Sequence, residues 1–295
     1  MRANMRLNFT LRLKSNRLFF KILLYFLTLL VPLLIITGVY YLNYMEVLQQ
    51  DFAKKIQANL EASAETIDLY LSTAHEAGLN LMTHNTLQRY FLPEEEQTLR
   101  EKVERAEITR VISKASNFVS GYGDNLFLFN DDKSVYLSDG IADFQLFFNK
   151  FYPLDSYSAE FWENQLKARK SFQLLPPTQV RTTGRTVIPF VTKGIINGYD
   201  TVAVITIPLH VFQDTFRDRF IFSETDFVIL NEKNEIIFNN NPDILTASRV
   251  SAMHSLFQNA GSMQEDSLFP FKAIATYAQS DRYGWKYYAV TPVRA

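Results

Sequence analysis

The sequence predicts an α+β chain: one transmembrane helix, a long stalk helix continuing from it, and two tandem modules built on antiparallel sheets. Three observations carry this reading. A charge-free apolar run follows a basic N-terminus. A stretch almost free of helix breakers comes next, with apolar residues at helical spacing. Two hairpin-rich regions then show the same landmarks in the same order.

The bulk numbers fit a folded chain. Of 295 residues, 47% are hydrophobic and 21% charged, which excludes a disordered polymer. There is no cysteine, so disulfides, zinc-thiolate sites and thiol nucleophiles are excluded at once. The net charge of −1 conceals an asymmetry. Residues 1–21 hold Arg2, Arg6, Arg12, Lys14, Arg17 and Lys21 and no acid; the first acid is Glu46. Six of the 30 basic residues lie in this tail, leaving 24 against 31 acidic ones, a net of −7. An acidic body argues against nucleic acid as its partner.

Residues 22–42, "ILLYFLTLLVPLLIITGVYYL", carry no charge. At 1.5 Å per residue they span roughly 30 Å, one bilayer core. Tyr40, Tyr41 and Tyr44 cluster at the far end, where amphipathic rings suit the interface. A cleaved signal peptide has a shorter apolar core and a small-residue cleavage site, and "GVYYLNYMEVL" offers none. The basic tail is expected on the cytoplasmic side of a cell membrane, with residues 43–295 outside.

Residues 43–92 contain no proline before Pro93 and a single glycine, Gly78. Leu48, Phe52, Ile56, Leu60, Ile67, Leu71, Ala74 and Met82 recur mostly three or four apart, a helical stripe that suits a dimer seam, a packing face, or both. The stretch "PEEEQTLREKVERAEITRVISKASNFVSGYG" predicts a second helix from Pro93, with Glu94 to Glu96 at its positive end. Its expected apolar face is Val103, Val111, Ile112, Ala115 and Phe118, and Gly121 and Gly123 end it.

The pattern then turns to strands. "NLFLFNDDKSVYLSDG" and, later, "DFVILNEKNEIIFNNN" both read apolar run, Asn-led turn, apolar run, with Asn130 matching Asn231. "RTVIPFVTKGIINGYDTVAVITIPL" and "FKAIATYAQSDRYGWKYYAVTPV" are matching closing hairpins that end on Ile207-Pro208 and Thr291-Pro292. The expected modules are 93–212 and 213–295.

A basic start ("SNRLFFKILLYF"), one span, a long helix and two such modules ending in "YGWKYYAVTP" together resemble the double Cache sensor regions of bacterial membrane receptors. The resemblance covers residues 43–295 and is greatest to membrane regulators of Gram-positive bacteria, in which the sensor precedes an AraC-type DNA-binding domain or a histidine kinase. It implies PAS-like modules, a ligand pocket in the membrane-distal one, and a proximal one that is often ligand-free. It also implies a return span and an output domain after the proximal module, so that the strand 287–291 marks a junction. In this reading the partners are a small-molecule ligand, the membrane and a second copy of the chain through the long helix.

Four residues are candidates for ligand binding. Trp162, in "SAEFWENQLKARKSFQLLPP", lies between the hairpins, in the segment that roofs a PAS-like pocket. Arg181 and Lys193, in "QVRTTGRTVIPFVTKG", supply cations for a carboxylate or phosphate. "RTTGR" also reads as an exposed turn, the better reading for Arg185. Tyr136 lies on an opening strand. Amino-acid-binding relatives carry an Arg-x-Trp and a Tyr-x-Asp pattern; here Glu160 precedes Trp162 at that spacing and Asp200 follows Tyr199 directly, which disfavours free amino acids. His75 and His84 are nine apart and cannot form an i, i+4 metal pair. With no G-x-S-x-G, phosphate loop or H-E-x-x-H, no catalytic residue, metal or cofactor is expected. The expected function is small-molecule sensing for a membrane receptor. The alternative is a ligand-free, membrane-tethered interaction or dimerisation module.

Overall fold

A computed structural model describes residues 3–96, 99–169, 171–220, 224–257, 262–265 and 268–292. The chain forms two compact units, Met1–Lys55 and Ile56–Ala295. Helix α1 runs over Ala3–Thr83 and contributes to both. In the first unit it presents the apolar side chains from Phe19 to Leu42 outward, and it is long and apolar enough to cross a membrane. Pro32 lies inside the helix. The basic side chains from Arg2 to Arg17 lie outside the described residues.

In the second unit the apolar stripe has an occupant. Ile56, Leu60, Ile67, Leu71, Ala74 and Met82 are all buried, whereas Leu48 and Phe52, in the first unit, are exposed. The helix ends at Thr83 rather than Phe91. His84 adopts an extended backbone, and its Nδ1 accepts a hydrogen bond from the Thr86 amide to start α2 (Asn85–Tyr90). His84 is thus a helix cap, and His75 packs its ring edge on Phe172 and Phe190.

Helix α3 covers Leu99–Val119 and so begins later than Pro93. Glu94–Glu96 form a separate 3₁₀ turn. Its acids are tied across to the first sheet and the turn before β2: Ser134 Oγ donates to Glu94, Lys133 pairs with Glu95, and the Tyr199 hydroxyl donates to Glu96. Those partners, rather than a helix dipole, account for the acid run. On α3, Ile108, Val111 and Ile112 are buried and Ala115 is half-buried. Phe118 is 60% exposed, a correction to the expected face, which turns toward Val119 instead. The Val103 side chain lies outside the described residues.

The first sheet uses β1 (Asn125–Phe129), β2 (Ser134–Leu137), β3 (Ile141–Asp143), β4 (Phe172–Leu174), β5 (Thr178–Gln179), β6 (Thr186–Ile196) and β7 (Tyr199–Pro208). Its order is β3-β2-β1-β7-β6-β4, with β5 also on β6, and all pairings are antiparallel. Asn197 and Gly198, both at positive φ, make the two-residue turn between β6 and β7, the chemistry a tight hairpin needs. Helix α6 (Leu209–Arg219) leads to the second sheet. That sheet comprises β8 (Asp226–Leu230), β9 (Ile236–Asn239), β10 (Ser262–Glu265), β11 (Ala273–Gln279) and β12 (Lys286–Pro292), in the order β10-β11-β12-β8-β9, with α7 (Ala247–Phe257) beside it.

The two sheets share one wiring. In each, the opening strand lies between its hairpin partner and the last strand. Asn125 faces Thr206 in the first sheet, and Asp226 faces Val290 in the second. Strand 287–291 is therefore the counterpart of the end of β7.

Helix α1 closes one face of the first sheet. At Gly78 an added Cβ would overlap the hydroxyl of buried Thr192 and sit 2.8 Å from its Cβ. Gly78→Ala gains about 1 kcal/mol of helix propensity, but forcing strands and helix apart costs typically 1–3 kcal/mol. We expect a net loss of about 1 kcal/mol in urea unfolding. A variant more stable than the parent would show that the approach is not close.

Asp68 joins α1 to the closing hairpin of the second module, accepting from Ser280 Oγ (2.7 Å) and from the Tyr287 hydroxyl (3.5 Å). Burial outweighs these bonds and raises its pKa above the ordinary 3.8. The folded state therefore holds the proton more tightly than the unfolded chain. Its contribution to stability is present below pH 3.8 and is lost as the pH rises through the raised value. Asp68→Asn should gain melting temperature relative to the parent as the pH rises from acid to neutral. A difference that shrinks over that interval would contradict this assignment.

Candidate functional site

One face of the first sheet carries Phe127, Phe129, Val135, Val187, Val191, Val202 and Val204, and residues 144–162 roof it. The roof begins at the short helix α4 (Phe144–Leu146), capped by Asp143, whose carboxylate accepts from the Leu146 amide at 2.8 Å. A π-turn follows over Phe147–Phe151. The wider turn lets the adjacent residues Phe147 and Phe148 both point into the core. Helix α5 (Ala159–Lys167) completes the roof, with Ser158 capping it through the Phe161 amide.

Trp162 sits on the inner side of α5 and is 0% exposed. Its ring stacks on Phe148 at 5.5 Å and meets Phe127 edge-on at 5.8 Å. Its Nε1–H is buried without a hydrogen-bond partner. An orphaned buried donor costs about 1–3 kcal/mol, so this atom is the one unsatisfied polar group among the core's described side chains.

One end of the core is polar. The Tyr152 hydroxyl donates to Asp124 Oδ2 at 2.8 Å and lies 2.8 Å from Thr206 Oγ1. Arg185 reaches Asp124 at 2.7 Å; the carboxylate side chain is only 5% exposed, the guanidinium 51%. Burial pushes the Tyr152 hydroxyl far above its usual range and the Tyr157 hydroxyl up to about 12, so both remain neutral donors. Tyr157 donates to the Pro176 carbonyl.

The four candidates do not share one cavity. Trp162 lies in the core. Lys193 is near it, but its ammonium is committed to the Leu166 and Ala168 carbonyls at the end of α5, with Asp200 at 3.4 Å. Arg181 is on the surface, paired with Asp155 at 2.5 Å. Tyr136 is buried on the opposite face, its ring 4.8 Å from Phe91 on the helical side. Sequence reasoning missed Asp124, Tyr152 and the Phe147–Phe148 pair. The doubled aromatics in "FFNKF" were a readable signal for the last; the Asp124–Tyr152 contact joins residues far apart in the chain and had no local one.

Three cavities lie outside this core. One of about 630 Å³ separates the modules, between β4 with its following loop and the turns holding Asn231–Glu235 and Arg282–Trp285. Two more lie at the second module, one of about 490 Å³ between α6 and the β8 and β9 strands, lined by Arg217, Phe227 and Asn239 among others, and one of about 160 Å³ beside α7. Among the described residues no group of three or more His, Cys, Asp or Glu side chains is placed to hold a metal.

The fold has solved counterparts. The periplasmic sensory domain of the Campylobacter jejuni chemoreceptor Tlp1 superposes with a TM-score of 0.57 at 12% identity, covering 83% of this chain and 96% of that one. The ligand-binding domain of the C. jejuni chemoreceptor Tlp3, in complex with L-norvaline, gives 0.54 at 12% identity over 82% and 91%. The extracellular domain of a putative histidine kinase gives 0.52 at 11% identity over 85% and 97%. At these identities the likeness is one of fold. No family model matches the chain, and no curated protein matches it.

Proposed function

We propose that residues 43–295 are the extracellular sensing region of a single-pass membrane receptor and that they bind a small molecule in the first, membrane-distal module. Solved domains of this fold are sensory domains of chemoreceptors and histidine kinases. The observation carrying the ligand reading is the unpartnered indole N–H of Trp162 in the distal core. A ligand acceptor there would satisfy it, and the π-turn roof is the element that would move aside. The module boundaries are 93–212 and 213–295, the basic tail is cytoplasmic, and a homodimer forms along α1. The output partner is an AraC-type DNA-binding domain or a histidine kinase, as in Gram-positive regulators.

A second reading has its own support. Phe127, Phe129, Phe147, Phe148 and Trp162 fill the space between sheet and roof with ring contacts of 5–6.5 Å. That packing suits a ligand-free interaction module.

One experiment separates the two. The full chain in detergent is screened by thermal shift against metabolites, with amino acids included because Tlp3 was solved with L-norvaline. The sensing reading expects a stabilising compound whose affinity falls in Trp162→Phe. A compound bound equally well by that variant would place the site elsewhere, and no stabilising compound would favour the interaction module.

A further inference from the structure

Strand β4 ends the order of the first sheet and is bonded on one side only, to β6. The register pairs Phe172 with Thr192, Gln173 with Val191 and Leu174 with Phe190. On either side, the Lys193 amide donates to the Ser171 carbonyl at 2.8 Å and the Leu175 amide to the Pro189 carbonyl at 2.9 Å. In an antiparallel pair, residues that exchange hydrogen bonds alternate with residues that do not. Ser171, Gln173 and Leu175 therefore turn their backbone polar groups toward β6. The N–H and C=O groups of Phe172 and Leu174 point the other way, out of the sheet. Among the described residues these groups meet no hydrogen-bond partner. The open ladder stops at Pro176, which has no N–H and whose carbonyl accepts from Tyr157.

That edge borders the cavity of about 630 Å³ between the modules. Residues 172–176 form one wall, and the turns of the second module at 231–235 and 282–285 form the other. The volume lies within the range of ligand sites. Leu174, Ile237 and Trp285 give the lining apolar surface. Its charged side chains are Glu232, Glu235, Lys233 and Arg282, two acids against two bases, so it favours no net charge. The wall also holds a further unmet polar group, the Tyr283 hydroxyl, which is buried without a hydrogen-bond partner.

Donor–acceptor pairs that recur roughly 7 Å apart along a strand match an extended peptide backbone, which repeats the same pair every two residues. We propose that the cleft between the modules binds an extended peptide segment of no net charge, about three to five residues long, which adds as a strand to the free edge of β4. A second copy of the chain suits the edge poorly. Its own β4 lies behind the same two turns, so two such edges cannot meet, whereas a single strand has room between edge and turns. The site lies at the edge of the sheet rather than in the Trp162 core, and it does not depend on how that core is read.

The test is calorimetric titration of the full chain in detergent with the capped peptide acetyl-Thr-Val-Thr-Val-Thr-amide. Two further forms are N-methylated on alternate residues, each along one edge, and a last form on every residue. Saturable binding is expected for the parent peptide and for at least one single-edge form. The fully methylated peptide should bind about tenfold more weakly or worse, the scale of two lost hydrogen bonds. Leu174→Pro removes an N–H from the open edge and none from the ladder with β6. Its melting temperature should hold while peptide affinity falls about fivefold or more. The methylated peptides keep the test valid if that variant fails to fold. Trp162→Phe should leave the affinity unchanged. The proposal is overturned by an absence of saturable binding, by parent-like affinity of the fully methylated peptide, by loss of binding in both single-edge forms, or by wild-type affinity in folded Leu174→Pro. It is equally overturned by loss of affinity in Trp162→Phe, which would place the peptide in the core, or by a dimer that Leu174→Pro dissociates in sedimentation, which would give the edge to a second copy.

Discussion

Trp162→Ala is expected to destabilise the second unit by about 3–5 kcal/mol, the range for removing a large aromatic from a packed core. For a unit of this size that is a fall in melting temperature of roughly 6–20 °C. The cost comes from lost contact with Phe127, Phe129, Phe148, Tyr157 and Phe161, all of whose rings lie within 6.5 Å. Trp162→Phe should behave differently. It keeps a ring on Phe148 and removes the unpartnered Nε1–H, so the relief of one orphaned donor, about 1–3 kcal/mol, opposes the loss of ring volume. A net effect under about 1.5 kcal/mol follows. Equal losses in the two variants, measured by urea unfolding, would mean that the indole N–H has a partner after all.

Asp124→Ala is expected to cost about 2–3 kcal/mol, because a nearly buried carboxylate accepting from both Tyr152 and Arg185 is removed. Arg185→Ala should cost less, about 1–2 kcal/mol: it leaves the carboxylate without its cation, but the site of the half-exposed guanidinium opens to water. The internal control is Arg181–Asp155, whose side chains are 63% and 45% exposed. Breaking that pair should cost no more than about 1 kcal/mol. If Asp124→Ala behaves like Arg181→Ala, the network at the end of the core contributes no more than a surface pair.

Much of the fold was legible because it depends on short-range order. The α1 stripe from Ile56 to Met82 repeats at helical spacing, and the same spacing buries it. The Asn-Gly turn before Tyr199 and the two matched hairpins are local chemistry, and each formed where its residues stand. Local signals misled where a tertiary partner was stronger. Three glutamates after Pro93 look like a helix start, yet Lys133, Ser134 and Tyr199 hold them in a separate turn. Phe118 fits the helical period but faces outward.

The candidate site divides in the same way. A tryptophan between two hairpins was recognisable as part of the roof, because the module's order in sequence is its order in space. Lys193, Arg181 and Tyr136 could not be sorted by pattern. On a strand the side chain's face follows from register, and register is set by partners far along the chain. Tyr136 faces the helices because its neighbour Val135 faces the roofed core. Lys193 is taken up by the carbonyls at the end of α5.

By itself, then, the sequence determined the membrane-length helix, the buried stripe that continues it and the two repeated antiparallel modules, since periodicity and turn chemistry act over a few residues. The tertiary structure alone decided which polar groups meet: Asp124 with Tyr152 and Arg185, His254 with Tyr288 and Lys286, and an indole N–H with nothing. Those encounters join residues dozens of positions apart, and no local rule brings them within 3.5 Å of each other.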